Sequence, residues 1–439
     1  MELLYKLDDK VPREKLLFYS FQHVILYITG GVALVVIAGA ALGLSMPELS
    51  AMMRRAFFVA GAFSFLQAIF GHRYPIIDGP SGLLVSVILL IVPTAGGATQ
   101  ALTTDLGTGF IIGGGLVFLV AALGLMPYIF KLFTPAVNGV LLMFMVIQIS
   151  PNIVKGMMGL SAGNEYIKPG SVFVFLFTIA AVLVLNALAK GFVKSISVLI
   201  GTIAGWLVAI PAGYAIRPEN AGESFITFPR IFAFGMPTWN PGIVFVCVFA
   251  SFMLLSMVYA SIRGLSEIVD KKISDRDMKK GVMMHGLGVA VAGVFPIVPN
   301  MPYLTPIGMI LMTGVASRRP FLIGSLFLLI MGLVSPIGAF FASIPIPVGY
   351  AVMTVMFSLI FRQGLHEVQK DIAVFSADRI GYVVGISMII GVGVMFLPFE
   401  TFSHLPGILP YFLSNGLIDG TIIAIILDRA LLKRGTIGV

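Results

Sequence analysis

Polarity along this chain alternates in long blocks rather than residue by residue. Apolar runs separated by short polar or Gly/Pro punctuation fall at approximately 16–44, 54–71, 80–95, 106–127, 132–150, 171–189, 194–215, 240–262, 282–297, 301–316, 320–337, 343–361, 380–399 and 409–427. A helix that crosses a bilayer needs roughly 20 predominantly apolar residues, so these blocks predict fourteen membrane spans in an all-α polytopic fold. Two runs are short and broken. One begins Asp78-Gly79-Pro80-Ser81-Gly82 and the other Pro299-Asn300-Met301-Pro302-Tyr303-Leu304-Thr305-Pro306, so Pro80 and Asn300 lie 220 residues apart in a chain of 439. Each break therefore occupies the third span of its own seven-span half, the pattern of inverted repeats whose discontinuous helices meet at the bilayer midplane. The alternative is a pair of proline kinks packed against neighbours. Irregular backbone at that depth persists only where protein buries it or where it lines a wet cavity.

Composition acts by exclusion. Hydrophobic types make up 58% of the chain and charged types 11%, whereas a soluble domain carries roughly 25% charged residues. A soluble enzyme, a disulfide scaffold and a nucleic-acid binder are thereby disfavoured. Cys247, the single cysteine, sits in an apolar run and reads as a small hydrophobe. The apolar stretch from Leu16 to about Leu44 is too long and too late for a cleaved signal peptide.

The net charge of +8 is less informative than its distribution. With the N-terminus cytoplasmic, 22 of the 28 Lys and Arg residues fall in cytoplasmic segments: the N-terminal tail, turns near Arg73, Lys131 and Lys190/Lys194, the stretch 263–280, Arg318/Arg319, 362–379 and the C-terminal tail. The other six are Arg54, Arg55, Lys155, Lys168, Arg217 and Arg230. This asymmetry predicts both termini on the cytoplasmic side of a plasma (bacterial inner) membrane. Arg54 and Arg55 lie on the disfavoured side.

Ionisable groups inside hydrocarbon are expensive and so mark candidate function. Gln22 and His23 in the first span would line a cavity or, alternatively, His23 would be a neutral packing residue hydrogen-bonded to a neighbouring carbonyl. Asp78 before the first break and Asp419 in the last run could each bind a proton or sodium ion, or cap a helix; Asp105 carries the same ambiguity. No CxxC, HExxH, Walker or GxSxG pattern occurs, which leaves metal, protease, nucleotide and hydrolase chemistry without residues and predicts neither an enzyme nor a bound cofactor beyond a co-transported proton or sodium ion.

Several segments together resemble the nucleobase:cation symporter-2 family, also called the nucleobase/ascorbate transporter family, which includes bacterial uracil and xanthine permeases. They are Gln22-His23, Asp78-Gly79-Pro80-Ser81, Leu132-Phe133-Thr134-Pro135-Ala136, Ile344-Pro345-Ile346-Pro347 and, most specifically, PNMPYLTPIGMILMTGVASR from Pro299 to Arg318. The last is similar to the family signature at Gly308, Thr313 and Gly314, and departs from it at Thr305 and Pro306. The position of the family's eighth-span glutamate is Met257, a later polar position is Ser261, and the aromatic residue that stacks on the base aligns with Gly82.

The resemblance implies a core domain of spans 1–4 (1–128) and 8–11 (236–337), and a gate domain of spans 5–7 (129–235) and 12–14 (338–439), working as a homodimer. It implies nucleobase transport by alternating access, coupled to a proton or sodium ion. The implied substrate-binding residues are Gln22, His23, Ser81, Gly82, Met257, Tyr303, Leu304, Thr305 and Phe357. In this scheme His23 braces the broken segments, Ser81 and Leu304 offer backbone groups, and Tyr303 and Phe357 wall the cavity; His23, Asp78 and Asp419 are the groups left for coupling. A thioether and a hydroxyl stand where a carboxylate would accept from a nucleobase edge. Transport of another small anion or carboxylate, and a non-transporting sensor or scaffold, therefore stay open as alternatives.

Overall fold

A computed structural model describes residues 3–95, 97–160, 165–214, 216, 218, 224–269 and 271–432. Arg217 and the basic pair of the C-terminal tail, which enter the charge count above, lie outside these residues. The chain folds as α1 (Arg13–Ala41), α2 (Met46–Phe70), β1 (Asp78–Pro80), α3 (Gly82–Thr94), α4 (Gln100–Ala122), α5 (Met126–Phe130), α6 (Pro135–Met158), α7 (Pro169–Leu188), α8 (Gly191–Ser195) and α9 (Ser197–Ala209), the last continued by a π-helical turn. There follow α10 (Pro241–Ile268), α11 (Asp275–Val294), β2 (Asn300–Pro302), α12 (Thr305–Thr313), α13 (Arg318–Met331), α14 (Ser335–Ala342), α15 (Ile346–Ile372), α16 (Ala377–Met395), α17 (Leu409–Leu413) and α18 (Gly416–Leu432). Every apolar run of the sequence overlaps one of these helices. Among the described residues nine helices are long and apolar enough to cross a membrane.

Some boundaries differ from the sequence expectation, each for a local reason. The second span starts at Met46 instead of residue 54, because Ser45 starts the helix: its N–H and hydroxyl both donate to the Glu48 carboxylate, at 2.8 and 2.6 Å. Arg54 and Arg55 are therefore two turns inside α2 and buried. Arg54 donates to the Thr227 carbonyl, and the Arg55 guanidinium lies over the Phe234 ring. The run 320–337 divides into α13 and α14 at Gly332-Leu333-Val334, where the Thr227 and Phe225 backbones lace onto the chain at Leu333 and Ser335. Asp105 does not cap α4; that role falls to Thr99, while Asp105 accepts from the Thr238 hydroxyl at 2.6 Å.

Helices from the two ends of the sequence pack against each other where side chains shrink to hydrogen. A methyl group added at Gly114 of α4 would strike the Ala290 and Gly286 backbone of α11, and Gly293 of α11 is equally close to Gly107 of α4. Gly61 of α2 lies against Ser325 and Leu329 of α13, and Gly139 of α6 against Gly364 of α15. Membrane helices have no hydrophobic driving force between them, so close backbone approach at small residues is what associates them.

The predicted cytoplasmic segments collect on one face. Asp8 pairs with Arg318 and, at 3.9 Å, with Lys271; Arg73 faces Asp277 at 3.8 Å; Lys279 donates to the Ala122 carbonyl and Arg429 to that of Lys131. The N-terminal tail is tied there by the chain itself, with Tyr5 bonded through its backbone to Gly314 and Ala316. In the turn between α2 and β1, the Tyr74 hydroxyl donates to the Lys271 carbonyl at 2.6 Å. Burial, and then the Asp277 carboxylate, push this phenol up to about 12 and keep it a donor.

Also on this side, the Arg379 and Asp428 side chains meet at 2.8 Å with 10% and 2% exposure, joining α16 to α18. Removing one partner leaves a buried charge uncompensated, which costs about 3–5 kcal/mol, whereas replacing both by apolar residues is close to neutral. Asp428→Ala is accordingly expected to lower the melting temperature in detergent markedly, and Arg379→Met/Asp428→Leu to recover most of the loss; equal melting of Asp428→Ala and the parent would contradict this.

Candidate functional site

Neither broken run spans the membrane as a helix. At 1.5 Å per residue, the 13 residues of α3 and the 9 of α12 reach about 20 and 13 Å against a core of about 30 Å. The remaining length is extended chain, and its peptide groups need partners. They find them in each other. β1 and β2 pair antiparallel, Asp78 opposite Pro302, Gly79 opposite Met301 and Pro80 opposite Asn300. The ribbon is extended at both ends: the Ser81 N–H donates to the Pro299 carbonyl and the Tyr303 N–H to that of Ile77, each at 2.9 Å.

The three prolines in and beside this ribbon explain why it is short. Pro80, Pro299 and Pro302 have no N–H, and each resists helical conformation in the residue before it. α3 restarts at once because the Ser81 hydroxyl accepts from the Leu84 N–H. Ser81 is thereby engaged on every backbone and side-chain group: its N–H with Pro299, its carbonyl with Val85, its hydroxyl with Leu84.

Three helices hold the ribbon, two of them through side chains. The Ser64 hydroxyl of α2 accepts from the Asp78 N–H at 2.9 Å, and Ser261 of α10 donates to the Pro302 carbonyl at 2.9 Å. α1 lies against it through Gly30 and Gly31, where an added methyl group would meet Tyr303 and Pro80 at 3.0 Å. The brace between the two breaks is Tyr303, whose hydroxyl donates to the Pro80 carbonyl at 3.0 Å while its ring covers Gly79.

His23 was expected in that bracing role, and the structure corrects it. The imidazole packs edge-on to Phe321 of α13, with ring centroids 5.1 Å apart, and makes no hydrogen bond to either broken segment. It lies two turns of α1 before Gly30, too far along the helix to reach the ribbon as Tyr303 does. Gln22 is buried beside it in sequence. Gly82 lies under the ring of Phe357 from α15; a methyl group at residue 82 would sit 3.2 Å from Cζ. An aromatic ring thus abuts the start of α3, carried by a different helix. Leu304 and Thr305, at the entry to α12, are exposed, and Leu304 reaches toward Gly264 of α10. Met257 is half-buried on α10, one turn before Ser261. Asp419 is not part of this arrangement: α18 packs on α6, α16 and α17.

Among the described residues, three buried side chains at the ribbon have polar atoms without a hydrogen-bond partner, the hydroxyl of Tyr27, Oδ1 of Asp78 and both amide atoms of Asn300; Nδ1 of His23, farther along α1, is likewise unpartnered. Buried polar groups are rarely left so. Together they supply donors and acceptors suited to a small planar molecule bearing amide-like edges, or to a cation at the carboxylate and amide oxygens. Tyr27 and Asn300 were missed in the sequence. Tyr27 resembled any core aromatic, and Asn300, although inside the broken motif, gains meaning only by standing opposite Pro80. No cluster of three metal-ligating side chains occurs among the described residues.

A family model, Xan_ur_permease, described as "Permease family", matches residues 14–400. The uric acid permease PucK of Bacillus subtilis is 28% identical over 94% of this chain and 94% of its own. The xanthine permease of the same organism is 25% identical over 94% and 93%. Among solved structures, the transmembrane domain of a cyanobacterial bicarbonate transporter, BicA, superposes with a TM-score of 0.60 over 96% of this chain and 99% of its own at 14% identity, a likeness of fold.

Tyr303 over Gly79 gives a direct test of the brace. A methyl group at residue 79 would sit 2.5–2.7 Å from Cζ, Cε2 and the hydroxyl oxygen of Tyr303, and such overpacking costs about 1–3 kcal/mol. Gly79→Ala is expected to lower thermal stability in detergent, and Tyr303→Leu to restore it in the double variant. A double variant no more stable than Gly79→Ala alone would rule the clash out.

Proposed function

The chain belongs to the permease family whose model spans residues 14–400, the nucleobase:cation symporter-2 family, and from that premise we propose that it carries purine bases and their oxidised forms across the membrane by alternating access. The observation that carries the reading is the ribbon of β1 and β2, with unpartnered polar atoms of Asp78 and Asn300 at the point where two discontinuous helices face each other. The family's relatives supply the substrate class: one is named for uric acid and another for xanthine. Met257 and Thr305 place no carboxylate at the ring edge, so recognition falls to neutral groups: the Asn300 amide, the entry to α12 at Leu304 and Thr305, and the Phe357 ring for stacking.

The packing supports two inverted seven-span repeats. Exchanging the halves of the sequence converts the contact of α4 with α11 into that of α13 with α2, and the contact of α10 with α4 into that of α1 with α13; all four occur. The ribbon and the pair α6 with α15 map onto themselves. It also supports the division into a core of spans 1–4 and 8–11 and a gate of spans 5–7 and 12–14, since α6, α7, α15, α16 and α18 pack mainly among themselves. Basic segments gathered on one face favour cytoplasmic termini in an inner membrane. The homodimer implied by family is checked by crosslinking in native membranes.

Asp78 is the coupling group in this proposal, since its carboxylate is buried, has an unpartnered oxygen and stands on the ribbon, whereas Asp419 stands elsewhere. Asp78→Asn is expected to abolish accumulation driven by an imposed proton or sodium gradient while leaving counterflow exchange of preloaded substrate. Undiminished accumulation by this variant would move coupling away from Asp78.

Uptake of radiolabelled uric acid, xanthine, hypoxanthine, adenine and uracil into a permease-null strain, with bicarbonate as the anion control, tests the function itself. Saturable uptake of at least one purine, weakened about tenfold or more by Phe357→Ala, is the expected result. Uptake of bicarbonate alone would favour the anion transporter, and binding without flux a sensor.

A further inference from the structure

We propose that a phospholipid acyl chain seats in a groove between α1, α9, α14 and α15, away from the ribbon. The groove has a volume of about 430 Å³ and is walled by Val32 and Ala33 of α1, Trp206 of α9, Phe341 of α14, and Gly349 and Val352 of α15. Its floor is buried: Val32 and Val352 are each no more than 2% exposed. Its rim is open, with Ile203, Leu207, Ile210 and Phe340 each about half exposed. On helices that cross a membrane such a rim faces lipid, so the groove continues the bilayer-facing surface inward.

The chemistry of the lining selects the occupant. Its two hydroxyls are spent on their own helices, Thr29 donating to the Ile25 carbonyl and Thr202 to that of Val198, both at 2.7 Å. No charged side chain lines it. A polar substrate would find nothing to bond and would lose its hydration. The length fits as well: from Leu199 to Ile210 the α9 wall runs about 16 Å at 1.5 Å per residue, and one leaflet of hydrocarbon is about 15 Å deep. An acyl chain entering over the α9 rim can therefore lie along the groove without leaving its leaflet.

The placement has a mechanical side, which rests on the core and gate division proposed above. α1 belongs to the proposed core and α9 and α15 to the gate, so a chain in this groove lies across the seam between moving bodies. The binding itself does not depend on transport, and the test separates the two.

The two tryptophans make the site readable. Trp239 is 64% exposed, and Trp206 lies in the groove with its ring 5.0 Å from Phe340. In the Trp239→Phe variant, purified in detergent and titrated with phosphatidylcholine brominated in mid-chain, Trp206 fluorescence is expected to quench saturably at about one lipid per chain. Gly349→Leu, whose new Cβ would sit in ordinary van der Waals contact with Ile37 at 3.7 Å and clash with nothing, is expected to fill the groove and weaken this saturable quenching at least fivefold. Thr202→Phe, on the opposite wall, provides a second filling variant should the first fail to fold. Quenching that rises in proportion to the brominated fraction without saturating, or that both filled variants leave unchanged, would show ordinary surrounding lipid and overturn the proposal. Purine uptake measured in parallel distinguishes failure of the lipid site from failure of the transport reading.

Discussion

The constraint on which this molecule depends is that backbone N–H and C=O groups cannot be left unpaired at the depth of the hydrocarbon. A helix satisfies it internally, and most of the chain takes that solution. Two segments rich in proline cannot. Each leaves a few extended residues with outward-facing peptide groups, and neither has a neighbouring strand in its own half. Their mutual pairing, Asp78 to Pro80 against Asn300 to Pro302, is the arrangement that lets both breaks exist, and it fixes where α3 and α12 begin and which helices surround them.

What surrounds them follows from size. Gly30 and Gly31 bring α1 onto the ribbon, Gly79 leaves room for the Tyr303 ring, and Gly82 admits Phe357. Glycine at these positions removes side chains that would otherwise occupy the crossing, and aromatic rings from other elements move into the space. The same economy of volume draws α4 against α11 and α2 against α13. The ribbon crossing and helix packing therefore use one device in this chain, the absence of a Cβ.

Much of this was legible in the sequence. Apolar block lengths located a helix in every expected run, because length against bilayer thickness is a strong signal. The paired breaks could be read because proline is conspicuous and the 220-residue separation matches half the chain. What could not be read is which side chains face each other. His23 looked like the brace and Tyr303 like a wall, yet their roles differ because a hydroxyl at the end of a long ring reaches Pro80 and an imidazole two turns away does not. Arg54 looked like a boundary residue; the Ser45 and Glu48 cap two turns earlier carried it inside α2, where a carbonyl at Thr227 meets it. Asn300 illustrates the general limit, since the strand that stands opposite it comes from residues more than two hundred positions away.

That separation in the chain also has a consequence in time. β1 is synthesised long before β2 exists, and with elongation at roughly 5–20 residues per second the 220 residues between Pro80 and Asn300 take about 10–40 seconds to make. Throughout that interval α2 and α4 also await α13 and α11. The first half of this protein therefore enters the membrane as a set of helices with an unpaired extended segment among them, kept soluble in lipid by the insertion machinery or by its own provisional contacts. The native crossing closes only once the second half has followed it in.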